Sequence, residues 1–392
     1  MAEQLATTIG LANLGNTCFL NVVLQAFKLS PPLANLCLLN QINTREASQK
    51  KVFLEAFQTL MIDFWKPTLP PGSKPTLSPK GFHNHFLKTI RDGNEDWHQY
   101  GQQGDAAETI QYILNSLHDA MYGSVHMQVS GEAITPEEKA YINALNAWQG
   151  FFAKEYSPII EHYNGQTQTS VICGNCRAVS TRYEPWLMLK VPLPGAEQPP
   201  HKATDGATLA DCLKLGFADE FIEDYRCDIC KVQGKAALQH RISKLPNVVI
   251  LTFKRFTNSM NKVNGLVAWD KQAFDFHPWM AFHGDPFNKI YTQPVYETTA
   301  LIEHQGSFRG GHYRMYAKQP SYENPAKLVW NEYDDNSIRE LSGLPGDSAD
   351  GVTTYVAFMT RVSCIVPMMS KFAEKVRILR HMHAPPEPVQ ED

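Results

Sequence analysis

The pattern of apolar residues changes character once along this chain, near Tyr163. Before that point apolar residues recur every three or four positions, the spacing of an amphipathic helix, most clearly in residues 51–64. After it come short runs rich in β-branched and aromatic residues, such as residues 248–253 and 298–302, which are typical of strands. Helices and strands kept apart in this way bury their apolar faces as a helical lobe packed on sheets. The pattern therefore predicts an α+β fold.

Turn and cap residues divide both regions into elements. Asp105 is expected to cap a helix, with Glu108 three residues on as in a variant capping box, and a charged segment at residues 132–148 continues the helical pattern. Another helix is expected at residues 370–383, where packing on its own domain is the more common role than docking a partner or an anionic membrane. The predicted strands lie at residues 168–172, 186–191, 248–253, 298–302, 313–317 and 355–359.

Composition excludes several classes of protein. Hydrophobic residues make up 43% and charged residues 19% of the 392 residues, which is ordinary for a soluble globular protein. The net charge of -4 comes without a basic stripe for nucleic acid. No run approaches the roughly 20 apolar residues that span a bilayer, and the first basic residue is Lys28, so the basic start of a signal peptide is missing. We expect neither a nucleic-acid partner nor a membrane span.

Eight cysteines are present, and four of them form two C-x-x-C pairs: Cys173 with Cys176, and Cys227 with Cys230. Each pair has the spacing that lets two thiolates reach one tetrahedral ion, so four sulfurs would close a structural zinc site without an open position for chemistry. Because the pairs are far apart in sequence, the ion would join two separate hairpins. A redox dithiol and two metal-free turns are the alternatives. The scattered remaining cysteines favour a reducing compartment of the cytoplasmic or nuclear type.

Cys18 lies where a tight loop leads into an apolar helix. Gly15 and Asn16 tolerate positive φ angles, Thr17 is an acceptable N-cap, and apolar residues after Cys18 recur at helical spacing. The helix dipole and free backbone N–H groups at an N-terminus stabilise a thiolate, so we expect the pKa of Cys18 to lie below the ordinary ~8.5. This placement suits a nucleophile. The alternative is a small buried hydrophobe at the start of a core helix.

A histidine and an acidic pair occur in matching contexts late in the chain. His312 follows Gly310 and Gly311, where a flexible turn enters a strand, and Asp334 and Asp335 follow a strand-like segment. In a Cys/His hydrolase a carboxylate fixes the imidazole tautomer that accepts the thiol proton, a role that suits Asp334. An ordinary loop histidine and a turn are the alternatives. The order Cys, His, Asp is that of papain-like thiol hydrolases, which favours the catalytic interpretation.

Six motifs, taken in order, resemble those of the ubiquitin-specific proteases, a group of cysteine deubiquitinases. The resemblance covers residues 10–361. Thr109 stands where the family usually has an aromatic residue, which leaves the expected catalytic set untouched. The matching segments are residues 10–21 for the Cys box, 103–108 for the Gln/Asp-Ala-x-Glu element, the two cysteine pairs for the zinc-holding fingers, 245–256 for a signature strand, and 310–313 with 330–335 for the His box.

The resemblance implies roles for individual residues. Cys18 would be the nucleophile, His312 the base and Asp334 the orienter of the base. Asn13 would donate to the oxyanion beside the Cys18 backbone N–H, and Asp335 would support the oxyanion or a water. The implied reaction is hydrolysis of the peptide or isopeptide bond after the C-terminal glycine of ubiquitin. An inactive ubiquitin-binding pseudo-enzyme and a protease for another ubiquitin-like modifier are the competing interpretations.

The resemblance also implies a papain-like fold shaped as a right hand, with a helical thumb, a β palm and β fingers tipped by one structural zinc ion. The catalytic domain would span residues 1–361, divided into a thumb at about 1–160 and palm and fingers at about 161–361. A C-terminal helix and a Pro-rich acidic tail would follow at residues 362–392. The implied partners are ubiquitin and ubiquitinated proteins, with the ubiquitin tail between thumb and palm, and the protein would act as a monomer.

Overall fold

The computed structural model describes residues 8–40, 42, 48–66, 75–93, 98–197, 199, 201–284, 293–320, 328–345 and 353–383. The Pro-rich acidic tail that the sequence indicates at residues 385–392 lies outside these ranges. Within them, helices dominate the first part and long strands begin at Gly165. The α+β prediction is therefore confirmed. No helix in the described ranges is long and apolar enough to cross a membrane.

The first part of the chain forms a helical lobe, which corresponds to the expected thumb. Two short strands, β1 (Gly10–Leu11) and β2 (Thr76–Leu77), pair in parallel within it. The helices of this lobe among the described residues are α1 (Cys18–Lys28), α2 (Pro31–Cys37), α3 (Lys51–Trp65), α4 (Lys80–Asp92), α5 (Ala106–Met121), α6 (Pro136–Phe152) and α7 (Pro158–Tyr163).

Side-chain caps start several of these helices. The Asp105 carboxylate accepts hydrogen bonds from the backbone N–H groups of Ala107 and Glu108 at 2.8 and 2.9 Å, so the predicted N-cap of α5 is confirmed. Thr135 and Glu138 form a reciprocal capping box at the start of α6. A cap of this kind is worth about 1 kcal/mol to its helix. The cap of α5 matters most for function, because it sets where the helical lobe meets the sheet.

The rest of the chain is mostly strand. In chain order the strands are β3 (Gly165–Cys173), β4 (Val179–Trp186), β5 (Leu189–Val191), β6 (Glu220–Arg226), β7 (Gln233–Lys244), β8 (Val248–Phe253), β9 (Phe274–Asp275), β10 (Val295–Ser307), β11 (Gly310–Pro320), β12 (Leu328–Asp334), β13 (Ser337–Glu340) and β14 (Thr354–Arg361). Among the residues that the structure describes, two α-helices accompany them, α8 (Leu209–Gly216) and α9 (Val362–Met382).

These strands form two sheets that correspond to the expected palm and fingers. The large sheet has the order β13-β12-β11-β10-β14-β8-β5, with β9 paired to β10, and its pairs are antiparallel except for β5 with β8. The small sheet has the antiparallel order β4-β3-β7-β6. Helices on one side of a large sheet and a second sheet beyond it give the hand-shaped arrangement that the resemblance implies.

The large sheet lies between two hydrophobic cores. Along β11, Tyr313, Met315 and Ala317 belong to the core shared with the helical lobe, whereas Tyr316 belongs to the core on the opposite face. This alternation follows from the two-residue period of a strand. Strand β8 is buried on both faces, which explains its continuous apolar sequence. On the face of the sheet toward the helical lobe, β11 packs directly against α1, the helix that begins at Cys18.

The C-terminal helix α9 packs on the protein's own helical lobe. Phe372, Val376 and Leu379 are buried on one face of the helix. The Phe372 ring meets the Trp65 ring edge to face at a centroid distance of 4.7 Å. The more common role expected for this helix is therefore confirmed, although the helix begins well before residue 370 and contains Pro367.

Two local features differ from the sequence-based prediction. Residues 186–191, predicted as one strand, form the end of β4 and, after a break at Leu187 and Met188, the separate strand β5. These strands lie in different sheets, so the break is where the chain crosses from the small sheet to the large one. Helix α8, capped by Thr208 and Asp211, was not predicted, because eight residues are too few to show helical periodicity clearly.

Candidate active site

The loop before Cys18 is held by its own side chains. Gly15 and Asn16 have φ angles of 98° and 57°, as predicted. The Asn13 side-chain oxygen accepts hydrogen bonds from the N–H groups of Gly15 and Thr17 at 3.0 and 3.2 Å. Thr17 occupies the N-cap position, but its hydroxyl bonds within the loop and does not cap the helix. Cys18 is the first residue of α1, as the sequence predicts.

The electrostatic environment of Cys18 differs from the prediction. The residue is only 4% exposed. Burial raises the pKa of its thiol above the ordinary value and the charge of Asp335 adds to the rise, while backbone amides, chiefly that of Tyr313, act in the opposite direction. The predicted lowering of the pKa is wrong. Burial destabilises the thiolate more than the backbone N–H groups at the start of the helix stabilise it. Cys18 therefore rests as a thiol and needs a base.

His312 and Asp334 form a close pair on neighbouring strands of the large sheet. The His312 Nε2 atom lies 2.6 Å from Asp334 Oδ1, across strands β11 and β12. The other carboxylate oxygen, Oδ2, lies 3.1 Å from Arg314 Nε. The residue after His312, Tyr313, contributes the backbone amide that acts on Cys18. Because Nε2 is committed to Asp334, Nδ1 is the ring nitrogen left to exchange a proton with a thiol.

Asp335 has a different set of partners from Asp334. Its φ angle is 51°, in the turn between β12 and β13. Its Oδ2 atom accepts a hydrogen bond from Asn13 Nδ2 at 2.8 Å and its Oδ1 atom one from Asn21 Nδ2 at 2.7 Å. Asp335 thus ties the loop before Cys18 to the end of β12. Sequence reasoning missed Asn21, although a buried amide in a mostly apolar helix is a recognisable signal.

Asp105 joins the helical lobe to the large sheet. While one carboxylate oxygen caps α5, the other accepts hydrogen bonds from the hydroxyls of Tyr313 and Tyr355 at 3.3 and 2.8 Å. Burial, and next the charge of Asp105, raise the pKa of both tyrosines, so both stay protonated as donors. Sequence reasoning had not identified either tyrosine as part of the site. The contact sets the separation of the two walls of the cleft.

A cavity of about 490 Å³ opens beside Cys18, between the start of α5 and the large sheet. Gly310 and Gly311 form part of its wall. The Gln103 side-chain amide donates to the Gly311 carbonyl at 3.1 Å and accepts from the Gly311 N–H at 3.0 Å. A Cβ atom on Gly310 would lie 2.7 Å from Gln103 Oε1. A Cβ atom on Gly311 would lie 2.1 Å from the Gln305 backbone carbonyl oxygen, so glycine is required at Gly311.

The four cysteines of the C-x-x-C pairs meet at the tip of the small sheet. All four sulfurs lie within 4.8 Å of one another, with Cys173 and Cys230 at 3.9 Å and Cys176 and Cys227 at 3.7 Å. Sulfurs around a tetrahedral zinc ion, with Zn–S bonds of about 2.3 Å, stand about 3.8 Å apart. The donor set and its spacing therefore fit one tetrahedral metal ion.

Both turns of this cluster have the same backbone conformation. After the second cysteine of each pair, Arg177 and Lys231 have φ angles of 61° and 59°. Their N–H groups bond the carbonyls of Cys173 and Cys227, the first cysteine of each pair, at 3.0 and 2.9 Å. Hydrogen bonding from the Asn175 side chain lowers the pKa of Cys230 to about 6. The prediction that the cysteines come from two separate hairpins is confirmed, since one turn joins β3 to β4 and the other joins β6 to β7.

The fold and the cleft together are those of a papain-like hand, a mixed helix and sheet protein with a cleft between the two. A family model described as "Ubiquitin carboxyl-terminal hydrolase" matches residues 9–358. The chain therefore belongs to the ubiquitin carboxyl-terminal hydrolase family.

Relatives and solved structures agree with this assignment. Ubiquitin carboxyl-terminal hydrolase 4 of Saccharomyces cerevisiae (strain YJM789) is 26% identical over 392 residues, covering 90% of this chain and 39% of the relative. Ubiquitin carboxyl-terminal hydrolase 2 of Bos taurus is 26% identical over 344 residues, covering 85% of this chain and 52% of the relative. The chain thus spans about half or less of the length of these relatives.

The solved structures support the fold. The SAGA Ubp8/Sgf11/Sus1/Sgf73 DUB module bound to ubiquitin aldehyde contains a chain that matches with a TM-score of 0.63 at 19% identity, covering 90% of this chain and 69% of that chain. The same module bound to monoubiquitin matches with a TM-score of 0.63 at 20% identity. At these identities the likeness concerns the fold.

Proposed function

We propose that the protein is a deubiquitinating thiol hydrolase that cleaves the peptide or isopeptide bond after the C-terminal glycine of ubiquitin. The observation that carries the proposal is the His312–Asp334 pair at 2.6 Å, which adjoins Tyr313, the residue whose backbone amide acts on Cys18 at the start of α1. Membership of the ubiquitin carboxyl-terminal hydrolase family supplies the substrate class. The domain would follow the predicted boundaries, with a thumb at about 1–160 and palm and fingers at about 161–361.

The first chemical step needs a base, because Cys18 rests as a thiol. In the proposed reaction His312 Nδ1 takes the thiol proton, and the imidazolium is stabilised by the Asp334 carboxylate at Nε2. The sulfur then attacks the carbonyl carbon of the terminal glycine, and the carbonyl electron pair moves to oxygen. Proton transfer and attack are coupled in this scheme, so the raised pKa of Cys18 is compatible with catalysis.

Asn13 is proposed to stabilise the negative oxygen that forms in this step, together with the Cys18 backbone N–H. An amide nitrogen carries two hydrogens, and Asn13 Nδ2 gives one of them to Asp335 at 2.8 Å. That bond orients the amide so that its second hydrogen is presented near the start of α1. Asp335 would act as the support of this donor, with Asn21 fixing the other carboxylate oxygen.

Collapse of the tetrahedral intermediate completes the acylation. The C–N bond breaks, the imidazolium of His312 gives its proton to the leaving amine, and a thioester joins Cys18 to the ubiquitin tail. Water activated by His312 then hydrolyses the thioester and regenerates the thiol. Gly310 and Gly311 line the cavity without side chains of their own, which suits the close approach of a tail that ends in two glycines.

We further propose that Cys173, Cys176, Cys227 and Cys230 hold one structural zinc ion. The fit of the sulfur–sulfur distances to a tetrahedron and the all-sulfur donor set support zinc, which would join the two hairpin tips of the fingers. With four sulfurs bound, the ion would have no open position for chemistry. Its expected contribution is to the grip on ubiquitin and to the folding of the small sheet.

The remaining expectations concern partners and compartment. We propose that ubiquitinated proteins are the substrates, that nucleic acid is not bound, and that the protein acts as a monomer in a reducing compartment. None of the eight cysteines, all within the described ranges, forms a disulfide, which fits such a compartment. Light scattering of the purified protein measures the monomer expectation directly.

The test uses a ubiquitin probe with an electrophile at its C-terminus, followed by mass spectrometry of the intact protein. We expect a ubiquitin-sized adduct on the wild type and none on Cys18→Ala. Cys364→Ala is the matched control, because Cys364 is a half-buried cysteine on α9 away from the cleft, and its adduct should equal that of the wild type.

Other outcomes would favour the competing interpretations. Binding of ubiquitin without any adduct would identify an inactive ubiquitin-binding pseudo-enzyme. An adduct with a probe built on another ubiquitin-like modifier, but not with the ubiquitin probe, would identify a protease for that modifier.

A further inference from the structure

A charged residue that the proposed mechanism does not use stands next to the His312–Asp334 pair. His312 and Arg314 are two positions apart on β11, so their side chains lie on the same face of the sheet. In the antiparallel pairing of β11 with β12, Met315 is opposite Tyr333. One step further along the ladder, Arg314 is therefore the cross-strand neighbour of Asp334.

The two oxygens of Asp334 have different partners. Oδ1 lies 2.6 Å from His312 Nε2 in a hydrogen bond, and Oδ2 lies 3.1 Å from Arg314 Nε in an ion pair that is not aligned as a hydrogen bond. Arg314 is itself anchored at its other end, because its Nη1 atom lies 3.4 Å from Glu332 Oε1. The side chains of His312, Asp334 and Arg314 are 37%, 32% and 33% exposed, so this row is only partly screened by water.

We propose that Arg314 is a positioning residue for the proposed hydrolase reaction, holding Asp334 in the rotamer that faces His312 and offsetting part of its negative charge. A carboxylate bonded through one oxygen can rotate about its last bond. A guanidinium near the second oxygen attracts that oxygen electrostatically, which restrains the rotation, and it also adds a positive charge near the imidazole. The inference rests on the proposed function for its reaction, and on the geometry of β11 and β12 for its residue.

The charge balance around His312 sets the sign of the expected effect. Asp334 and Asp335 place negative charge beside the ring, whereas Arg314 places positive charge there. Removing Arg314 leaves the carboxylates less compensated, and negative charge nearby opposes ionisation of the Cys18 thiol, so alkylation of Cys18 should need a higher pH. The ionisable groups that face this ring or its partners, by element, are Cys18 on α1, His304 on β10, Arg314 on β11, Glu332 and Asp334 on β12, and Asp335 in the following turn.

Three variants separate position from charge. Arg314→Gln removes the cation, and Arg314→Lys keeps a cation without the planar fork. Arg339→Gln is the matched control, because Arg339 bonds Glu332 at 2.8 Å from the neighbouring strand β13 and is 70% exposed.

The first readout is the rate of Cys18 alkylation by iodoacetamide between pH 5 and 9, followed on the Cys18 peptide by mass spectrometry. The second is kcat and KM with a fluorogenic ubiquitin C-terminal amide.

For Arg314→Gln we expect kcat to fall roughly tenfold with KM nearly unchanged, because the orienter of the base is misplaced while the ubiquitin surface is intact. The acid limb of the alkylation profile should move to higher pH by about half a unit. Arg314→Lys should return the limb to its wild-type position while kcat recovers only in part. Arg339→Gln should match the wild type in both readouts.

The inference is overturned if the alkylation profile of Arg314→Gln coincides with that of Arg339→Gln, or if Arg314→Lys fails to return the limb. Failure of the proposed function looks different, since the wild type itself would then release no fluorophore. If Arg314→Gln does not fold, as judged by its thermal melt, Arg314→Lys carries the test alone. In that case a kcat equal to the wild type overturns the inference, and a reduced kcat with an unmoved limb supports it.

Discussion

The cleft and the tip of the small sheet are both built around cysteines, yet they are assembled in opposite ways. At the tip, each pair of cysteines comes from a single tight turn, and two turns of the same conformation face each other. In the cleft, Asn13 reaches Asp335 across 322 positions of sequence, and Gln103 reaches Gly311 across 208. The tip is therefore a local structure used twice, whereas the cleft exists only when the whole domain is folded.

The two regions also treat the cysteine sulfur differently. Hydrogen bonding lowers the pKa of Cys230 at the tip to about 6, whereas burial raises the pKa of Cys18 in the cleft. The tip cysteines are not alike, because burial and hydrogen bonds shared with the other three cysteines raise the pKa of Cys176 to about 11. The thiol in the cleft stays protonated until a base acts on it, so its reactivity depends on His312. This contrast allows each region to be disabled without the other, which the following predictions use.

The largest expected effect is on the chemistry of the cleft. His312→Ala should lower kcat by about 10⁴-fold, as loss of a triad member does in other hydrolases, because no base is left for the Cys18 thiol. Metal content and ubiquitin affinity should be unchanged. The control is His240→Ala, which removes a histidine that bonds Thr169 on the small sheet, outside the cleft. Hydrolysis that is as fast in His312→Ala as in His240→Ala would remove His312 from the mechanism.

The converse change acts at the tip. Cys227→Ser should reduce bound zinc from one equivalent to nearly none and weaken ubiquitin binding roughly a hundredfold, since a structural zinc ion contributes directly to folding. Alkylation of Cys18 should stay within about twofold of the wild type, because the cleft does not share residues with the tip. Metal analysis and ubiquitin titration measure the first two effects. Cys364→Ser serves as the control, and full retention of metal in Cys227→Ser would contradict the assigned ligand set.

A smaller effect tests how the two halves of the cleft cooperate. Asn13→Ala should lower kcat about a hundredfold, or about 3 kcal/mol, with little change in KM, the usual cost of losing one oxyanion donor. Asn21→Ala removes the other partner of Asp335 at 2.7 Å and should cost clearly less, because it gives no bond to the oxyanion. Steady-state kinetics of both variants decide the point. Equal losses would mean that Asn13 acts only by holding Asp335.

The difference between the regions also explains what the sequence could predict. Helical and strand periodicity were sufficient for the α+β fold, and the spacing of Cys173, Cys176, Cys227 and Cys230 was sufficient for a cluster of four sulfurs. Several contacts of the cleft, such as Asn13 with Asp335 and Gln103 with Gly311, join residues hundreds of positions apart, so no spacing rule predicts them. The residues of the cleft were found through chain order and family resemblance, which supplied Asn13 and Asp335 but not Arg314 or Asn21.

Burial was the main physical quantity that local sequence could not supply. The pKa of Cys18 was predicted from its place at a helix start, and the sign was wrong because burial by the large sheet dominates. Local sequence also could not predict the break at Leu187 and Met188. The chain crosses there from one sheet to the other, so the two sheets and not local propensity decide its path. Asp105 was predicted as a cap, but its bonds to Tyr313 and Tyr355 depend on how the lobe meets the sheet.

The smallest expected effect concerns the acid stability of the cleft. His304 lines the cavity at 5% exposure, and burial, followed by the nearby charge of Lys262, lowers its pKa to about 4 from 6.5. Since the unfolded chain binds this proton more readily, the contribution of His304 is present above pH 6.5 and is lost as the pH falls toward 4. His304→Gln should therefore show a smaller drop in melting temperature than the wild type between pH 7 and pH 4.5. Equal drops in the melting temperature of the two proteins over this interval would show that acid acts elsewhere, for example at His98, whose pKa burial also lowers to about 4.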